Sequence, residues 1–195
     1  MREGKLVREK LLRMGKKEHL VVMVLHHIIA DGWSLGVMMR ELGELYERYR
    51  QGERSELKEV EIQYADYAIW QRKWLQGAIL DRQIDYWKQQ LAGMSGILEH
   101  PTDYPRPVME KFDGGQESFA VSRKILQSLK ALSREEAATL FMTLLAAFNA
   151  LLHRYSGQQD FSVGTPIANR HRADLDSVIG FFVNTLVIRL ALIHI

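Results

Sequence analysis

The chain of 195 residues contains no cysteine. A disulfide scaffold and a thiol nucleophile are therefore excluded, and the reducing cytoplasm is the compartment this fits. Proline is scarce and uneven: Pro101, Pro105 and Pro107 fall in one short stretch. No apolar run is long enough to span a bilayer. The N-terminus lacks the apolar core of a signal peptide. An excess of one charge is missing too: 26 Lys and Arg face 24 Asp and Glu, and a net charge of +2 is too small for a nucleic-acid footprint. Residues 2–17 are locally basic, but Leu6, Val7, Leu11 and Leu12 are interleaved, so a solvated strand pair is expected there rather than a membrane or nucleic-acid surface. There is no internal repeat and no low-complexity tract. A hydrophobic content of 47% with 26% charged residues suits a soluble globular protein, one domain or two small lobes.

What stands out in its place is His26-His27-Ile28-Ile29-Ala30-Asp31-Gly32-Trp33-Ser34. The apolar run Leu20–Leu25 before it reads as a buried strand, with the histidines at its end. Three readings compete. The first is a strand end with two satisfied histidines. The second is a metal site, disfavoured because the Asp-Gly pair signals a turn rather than the helix that would align His27 with Asp31, and because no second ligand cluster exists. The third is acyl transfer with an imidazole as general base. In that reading an aspartate ion pair fixes the loop and a glycine permits its turn.

Strands are expected over 5–13 and 19–25, joined by a turn at Gly15-Lys16-Lys17. Met38, Leu42, Leu45 and Tyr49 mark an amphipathic helix over about 34–50, ended by Gly52. Helices follow over about 63–76, with Tyr64, Tyr67, Trp70 and Trp74, and over about 78–92, with Leu80, Ile84, Trp87 and Leu91. Core packing is the expected role of these aromatics. The stretch from Gly93 to Gly115 reads as an ordered connector. Beyond it come a strand at 116–121, helices near 122–133 and 138–155, a strand from Phe161 and a last strand over Phe181–Leu190. In that strand Asn184 shares a face with Phe182, Leu186 and Ile188 and needs a polar partner: a neighbouring loop's backbone or a ligand in a cleft.

These motifs, in this order, resemble the condensation domain of nonribosomal peptide synthetases. Leu25-His26-His27-Ile28-Ile29-Ala30-Asp31-Gly32-Trp33-Ser34 is similar to the family's active-site motif. Tyr64-Ala65-Asp66-Tyr67-Ala68-Ile69-Trp70 and Pro101-Thr102-Asp103-Tyr104-Pro105-Arg106-Pro107 resemble the next motif and the inter-lobe linker. Gly164-Thr165-Pro166-Ile167-Ala168-Asn169-Arg170 and Ile179-Gly180-Phe181-Phe182-Val183-Asn184-Thr185 resemble the C-terminal-lobe motifs. The HxxxDG core alone is shared with chloramphenicol acetyltransferase and plant acyltransferases; the set is far more specific. The resemblance runs from about residue 4 to 190.

The resemblance implies a mixed α/β (α+β) fold, a chloramphenicol-acetyltransferase-like two-lobe sandwich incomplete in this chain. Residues 1–100 would be the later part of the N-lobe, 101–115 the linker and 116–195 the first part of the C-lobe. Neither the family's two earliest motifs nor its two latest have a counterpart, and Ala191–Ile195 does not resemble the family's continuation. The implied activity is an amide-forming acyl transfer: an acceptor aminoacyl thioester attacks a donor acyl or peptidyl thioester, as in antibiotic and other secondary-metabolite biosynthesis. His27 is the implied catalytic residue, as base or as positioner of the amine. Asp31 would hold the loop through an arginine lying upstream, outside this chain, and Gly32 would allow close substrate approach. His26 and Trp33 support the loop, and Asn184 would make a second polar contact in the cleft. No cofactor or metal is implied; substrates would ride on phosphopantetheine arms of donor and acceptor peptidyl carrier domains, supplied by an adenylation domain of the same synthetase. Nucleic acid and membrane are not expected partners. The chain alone is expected to be inactive. The alternative is a non-catalytic carrier-docking or scaffold remnant.

Overall fold

The computed structural model describes residues 4–54, 57–105, 109 and 114–191. Part of the expected linker, Arg106 to Val108 and residues 110–113, lies outside them, as does the end of the chain from residue 192. Contacts divide the chain into two units, each described by itself. The first comprises the chain up to Gln89 together with Gly164–Val187, and the second Gln90–Val163 together with the residues from Ile188 onward.

In the first unit, β1 (Val7–Arg13) and β2 (His19–Leu25) form an antiparallel hairpin with Val7 opposite Leu25 and Arg13 opposite His19. Met14 and Gly15 N–H groups both donate to the Glu18 carbonyl and close its loop. The buried strand expected at Leu20–Leu25 is corrected: Val21 is 53% and Val24 59% exposed. Among the described residues this ribbon has no third strand to shield it, and a two-stranded hairpin alone is marginal in water. Helices α1 (Gly32–Arg50), α2 (Tyr64–Trp74) and α3 (Ala78–Gln90) follow. Gly52 adopts φ 79° just past α1, where a left-handed residue ends a helix at little steric cost. The first unit's apolar centre is Leu175, Val178 and Phe182, covered by Ile62, Tyr64 and Tyr67.

The second unit is built around α4 (Arg123–Glu135) and α5 (Leu140–Ser156). Ser122 and Thr139 cap them by accepting the backbone N–H groups of Ile125 and Met142. Ser133 and Thr143 hydroxyls join the two helices at 2.7 Å. The strand expected at 116–121 is absent: among the described residues that segment pairs with no other strand, and Phe119 is 88% exposed. Alternation alone does not make a strand without a partner to take its N–H and C=O groups.

β3 (Asp160–Ile167) pairs with β4 (Asn184–Ala191). β4 starts three residues later than expected, and the reason is chemical. The Phe182 N–H is taken by the Asp31 carboxylate and the Phe181 carbonyl by the Tyr64 hydroxyl, so neither is free for a ladder. Phe182 therefore does not share a strand face with Asn184. Arg189 in β4 pairs with Asp160 and donates to the Gln90 and Ala92 carbonyls at 2.7 and 3.0 Å. The hydrogen bonds from Arg189 hold the Asp160 carboxyl below its usual range.

Candidate active site

The loop after β2 is fixed from within before anything distant touches it. The His26 N–H donates to the Leu6 carbonyl at 2.8 Å, carrying the hairpin pairing one residue past the strand. The His26 Nδ1 accepts the Ile28 N–H at 3.1 Å, and the Ile29 N–H returns to the His26 carbonyl. His26 thus folds the loop on itself and leaves His27 at the bend. Asp31 then caps α1, its Oδ1 accepting the Ser34 N–H at 2.8 Å. The Asp-Gly pair is a helix start rather than the expected turn, and α1 begins at Gly32. Gly32 has no left-handed φ, and a Cβ there would meet open space. Its position gives room beside the loop rather than a special backbone shape.

Asp31 is 1% exposed and both of its oxygens are engaged. Oδ1 takes the Ser34 N–H and the Arg170 Nη2 at 3.4 Å; Oδ2 takes the Phe182 N–H at 3.0 Å. Burial by itself raises this carboxyl's pKa. The backbone N–H bonds from Ser34 and Phe182, with the Ser34 side chain and the Arg170 charge, more than offset burial and hold it below the usual carboxylate value. The arginine partner expected upstream is here corrected: it is Arg170, from the Gly164–Arg170 motif, with its side chain 1% exposed. The fold returns that segment against the N-cap of α1, so the ion pair closes within the chain. Arg170 also donates to the carbonyls of Leu175 and Val178 and to the Ser34 hydroxyl at 3.0 Å, and its guanidinium lies 4.1 Å from the Phe182 ring centroid.

Ser34 completes the cluster. Its fully buried hydroxyl donates to the Gly180 carbonyl at 2.8 Å and accepts from the Gly180 N–H at 3.0 Å. The Gly180 carbonyl also accepts the Asp31 N–H at 3.2 Å. Gly180 is the glycine that packing demands: a Cβ there would fall 2.7 Å from Tyr64 Cγ and 3.0 Å from a Phe182 ring carbon. Trp33 donates its indole N–H to the Asp176 carbonyl at 2.9 Å, a further tie between the start of α1 and the same returning segment.

His27 stands apart from this buried network. It is exposed, and among the described residues its imidazole has no hydrogen bond; the Phe181 ring meets it edge-on at 5.1 Å. With Leu25, Ala30, Asp31, Gly32 and Leu35 it lines an open pocket of ≈ 460 Å³. Asn184 lines a different cavity. That groove, ≈ 590 Å³, runs along α2 and α3 past Trp70, Trp74, Ile84 and Trp87. The structure does not bring Asn184 and His27 to one cavity wall. The Asn184 side-chain oxygen accepts the Thr185 N–H at 2.8 Å. The core role expected for the α2 aromatics is half corrected. Tyr64 and Tyr67 pack on Phe182, but Trp70 and Trp74, stacked at 5.4 Å, are 44% and 45% exposed along the groove. Tyr67 is anchored at the groove by Gln71 and Asn169, and burial, with the neighbouring Tyr64, pushes its phenol pKa up against the hydrogen bond from Asn169.

Ser34, Arg170 and Gly180 fall inside the sequence motifs, but the sequence marks no role for them. An arginine ending a Pro- and Asn-containing motif is the only signal for Arg170, and nothing local points to its partner 139 residues away.

The chain matches the family model described as "Condensation domain" over residues 1–194. It is 50% identical over 187 residues to one of the linear gramicidin synthase chains of Brevibacillus parabrevis, covering 96% of this chain and 4% of that one. Malpinin synthetase of Mortierella alpina is 45% identical over 98% of the chain, which spans 2% of it. Among solved structures, the X-domain from teicoplanin biosynthesis superposes with a TM-score of 0.85 at 28% identity, covering 95% of this chain and 42% of that one. A four-domain nonribosomal peptide synthetase, holo-AB3403, matches with a TM-score of 0.80 at 28% identity over 95% of this chain and 14% of its own length. The fold is the mixed α/β, chloramphenicol-acetyltransferase-like fold of those domains, and this chain spans less than half of such a domain. On this match the chain belongs to the condensation-domain family of nonribosomal peptide synthetases.

Proposed function

We propose that this chain carries the reacting loop of a domain that forms amide bonds between two carrier-bound thioesters. The acceptor amine nitrogen attacks the donor carbonyl carbon, the new C–N bond replaces the C–S bond, and the donor's carrier thiol leaves with a proton. The supporting observation is the contrast between His27 and everything around it. The loop's aspartate, serine and the facing arginine are buried and hydrogen-bonded to one another and to nearby backbone, while among the described residues His27 offers an imidazole without a hydrogen bond to an open pocket. His27 acts on the amine, as base or as hydrogen-bond partner. Asp31 acts by holding the loop, and Gly32 by leaving space beside it.

The finer assignments belong to the same proposal. Donor and acceptor carrier domains and an adenylation domain are its partners, with residues 1–100 and 116–195 as parts of two lobes joined by 101–115. Asn184, at the aromatic groove, would meet the body of a substrate rather than the reacting carbonyl. The experiment is His27→Ala in the full-length protein that carries this chain, followed by mass spectrometry of carrier-bound product after supplying ATP and the proteinogenic amino acids. A loss of about 10²–10⁴-fold is expected for a general base. Near-normal product formation would remove His27 from the reaction.

A further inference from the structure

We propose that Phe181 is a positioning residue for His27, setting the imidazole's orientation by an edge contact instead of a hydrogen bond. The inference rests on the acyl-transfer role proposed for His27. An exposed histidine with no polar partner is free to sample several staggered rotamers, and a group that must meet an amine at hydrogen-bond distance loses rate when it wanders. The ring contact that restrains His27 is with Phe181, centroids 5.1 Å apart and planes at 88°. That T-shaped geometry is favoured by the rings' own charge distribution. It also leaves both imidazole nitrogens unengaged, so the ring can accept or donate a proton.

Phe181 can do this because its backbone is held on both sides. Its carbonyl accepts the Tyr64 hydroxyl at 2.8 Å. The residue before it, Gly180, is held through its carbonyl and N–H by Asp31 and Ser34, and the residue after it gives its N–H to Asp31 Oδ2. Asp31 therefore fixes two things at once: the start of the helix that follows the histidine loop, and the backbone that carries the aromatic ring. The irregular start of β4 is consistent with this: the Phe181 carbonyl and the Phe182 N–H point to opposite sides of one peptide, and a ladder on either side would compete for one of them.

The test is a double-mutant cycle in the full-length protein, scored by turnover to carrier-bound product per folded molecule. Phe181→Leu should lower kcat by about 3- to 10-fold, the size of an aromatic edge contact expressed as a rate, with KM held within about twofold. Phe181→Tyr, which keeps the ring, should restore the wild-type rate. In a His27→Ala background Phe181→Leu should cost nothing further, because a residue acting through His27 has nothing left to position. A wild-type kcat for Phe181→Leu, or the same fractional loss with and without His27, overturns the inference while leaving the acyl-transfer reading intact. A His27→Ala protein of normal activity overturns that reading and this inference with it. Should Phe181→Leu fail to fold, Tyr64→Phe releases only the hold on the Phe181 carbonyl and enters the same cycle with the same two outcomes.

Discussion

Asp31→Asn isolates what the buried charge does, because it keeps the side chain's shape. In the folded protein the carboxylate accepts the Ser34 and Phe182 N–H groups at 2.8 and 3.0 Å and faces the Arg170 guanidinium. An asparagine can accept with its single oxygen at one of these positions. At the other it presents an NH₂ group to a donor. Arg170 meanwhile stays buried with its charge uncompensated, which costs about 3–5 kcal/mol when one partner of a buried pair is removed. The lower end applies here, since Arg170 retains the Leu175 and Val178 carbonyls and the Ser34 hydroxyl. At about 2–4 °C per kcal/mol for a domain of 150–250 residues, the variant should melt about 6–12 °C lower. The pH dependence gives an independent check. The folded pKa of Asp31 lies below the unfolded value, about 3.9. Its contribution is thus fully present above about pH 4–5 and is lost as pH falls through the lower folded value. Urea unfolding of both proteins between pH 7 and pH 3 measures the difference. The gap should be constant near neutrality and close in acid; equal stability at pH 7, or a gap that widens in acid, would refute the argument.

Gly180→Ala should destabilise by about 1–3 kcal/mol, the range for overpacking, because the new methyl group lands on the Tyr64 ring; the shift in urea midpoint reads it. Ser34→Ala leaves the Gly180 N–H and one Arg170 N–H without the hydroxyl and should cost about 1–3 kcal/mol, read by the same urea titration. The isolated 195-residue chain should associate at micromolar concentration, since Leu11 is 68% and Val24 59% exposed on a two-stranded hairpin; a sharp monomeric peak in size-exclusion chromatography, with strong amide protection in β2, would contradict this.

Local chemistry was legible, and long-range closure was not. The hairpin turn at Gly15, the helix of Met38–Tyr49 and the Gly52 stop after it, with its φ of 79°, all rest on neighbours in sequence. The strand expected at 116–121 failed because strand identity depends on a partner that no pattern of alternation supplies. The start of β4 shifted because a carboxylate 151 residues away takes a backbone N–H. In the site, the histidines and Asp31 were visible as residue types at a strand end. Arg170 and Ser34 were not, because a buried ion pair and a serine with several partners look in sequence like any arginine and any serine. The exposure of Trp70 and Trp74 was missed for a related reason: helical spacing tells which residues share a face, not what that face meets.

The site's two halves have different physics, and the difference limits what Asp31 can do. In a nucleophile–histidine–aspartate arrangement the carboxylate must hold the imidazole N–H. Asp31 does not serve His27 in that way in this structure: its oxygens take two backbone N–H groups and a guanidinium, and among the described residues the imidazole has no hydrogen bond. In the proposed reaction His27 would then work without a carboxylate behind it. That suits a reaction whose nucleophile is already an amine: the demand falls on placing the amine against the thioester, more than on stripping a reluctant proton. The hydrogen-bonded cluster of Asp31, Ser34, Arg170 and Gly180 would supply the rigidity such placement requires, by tying the histidine loop to a segment 146 residues downstream.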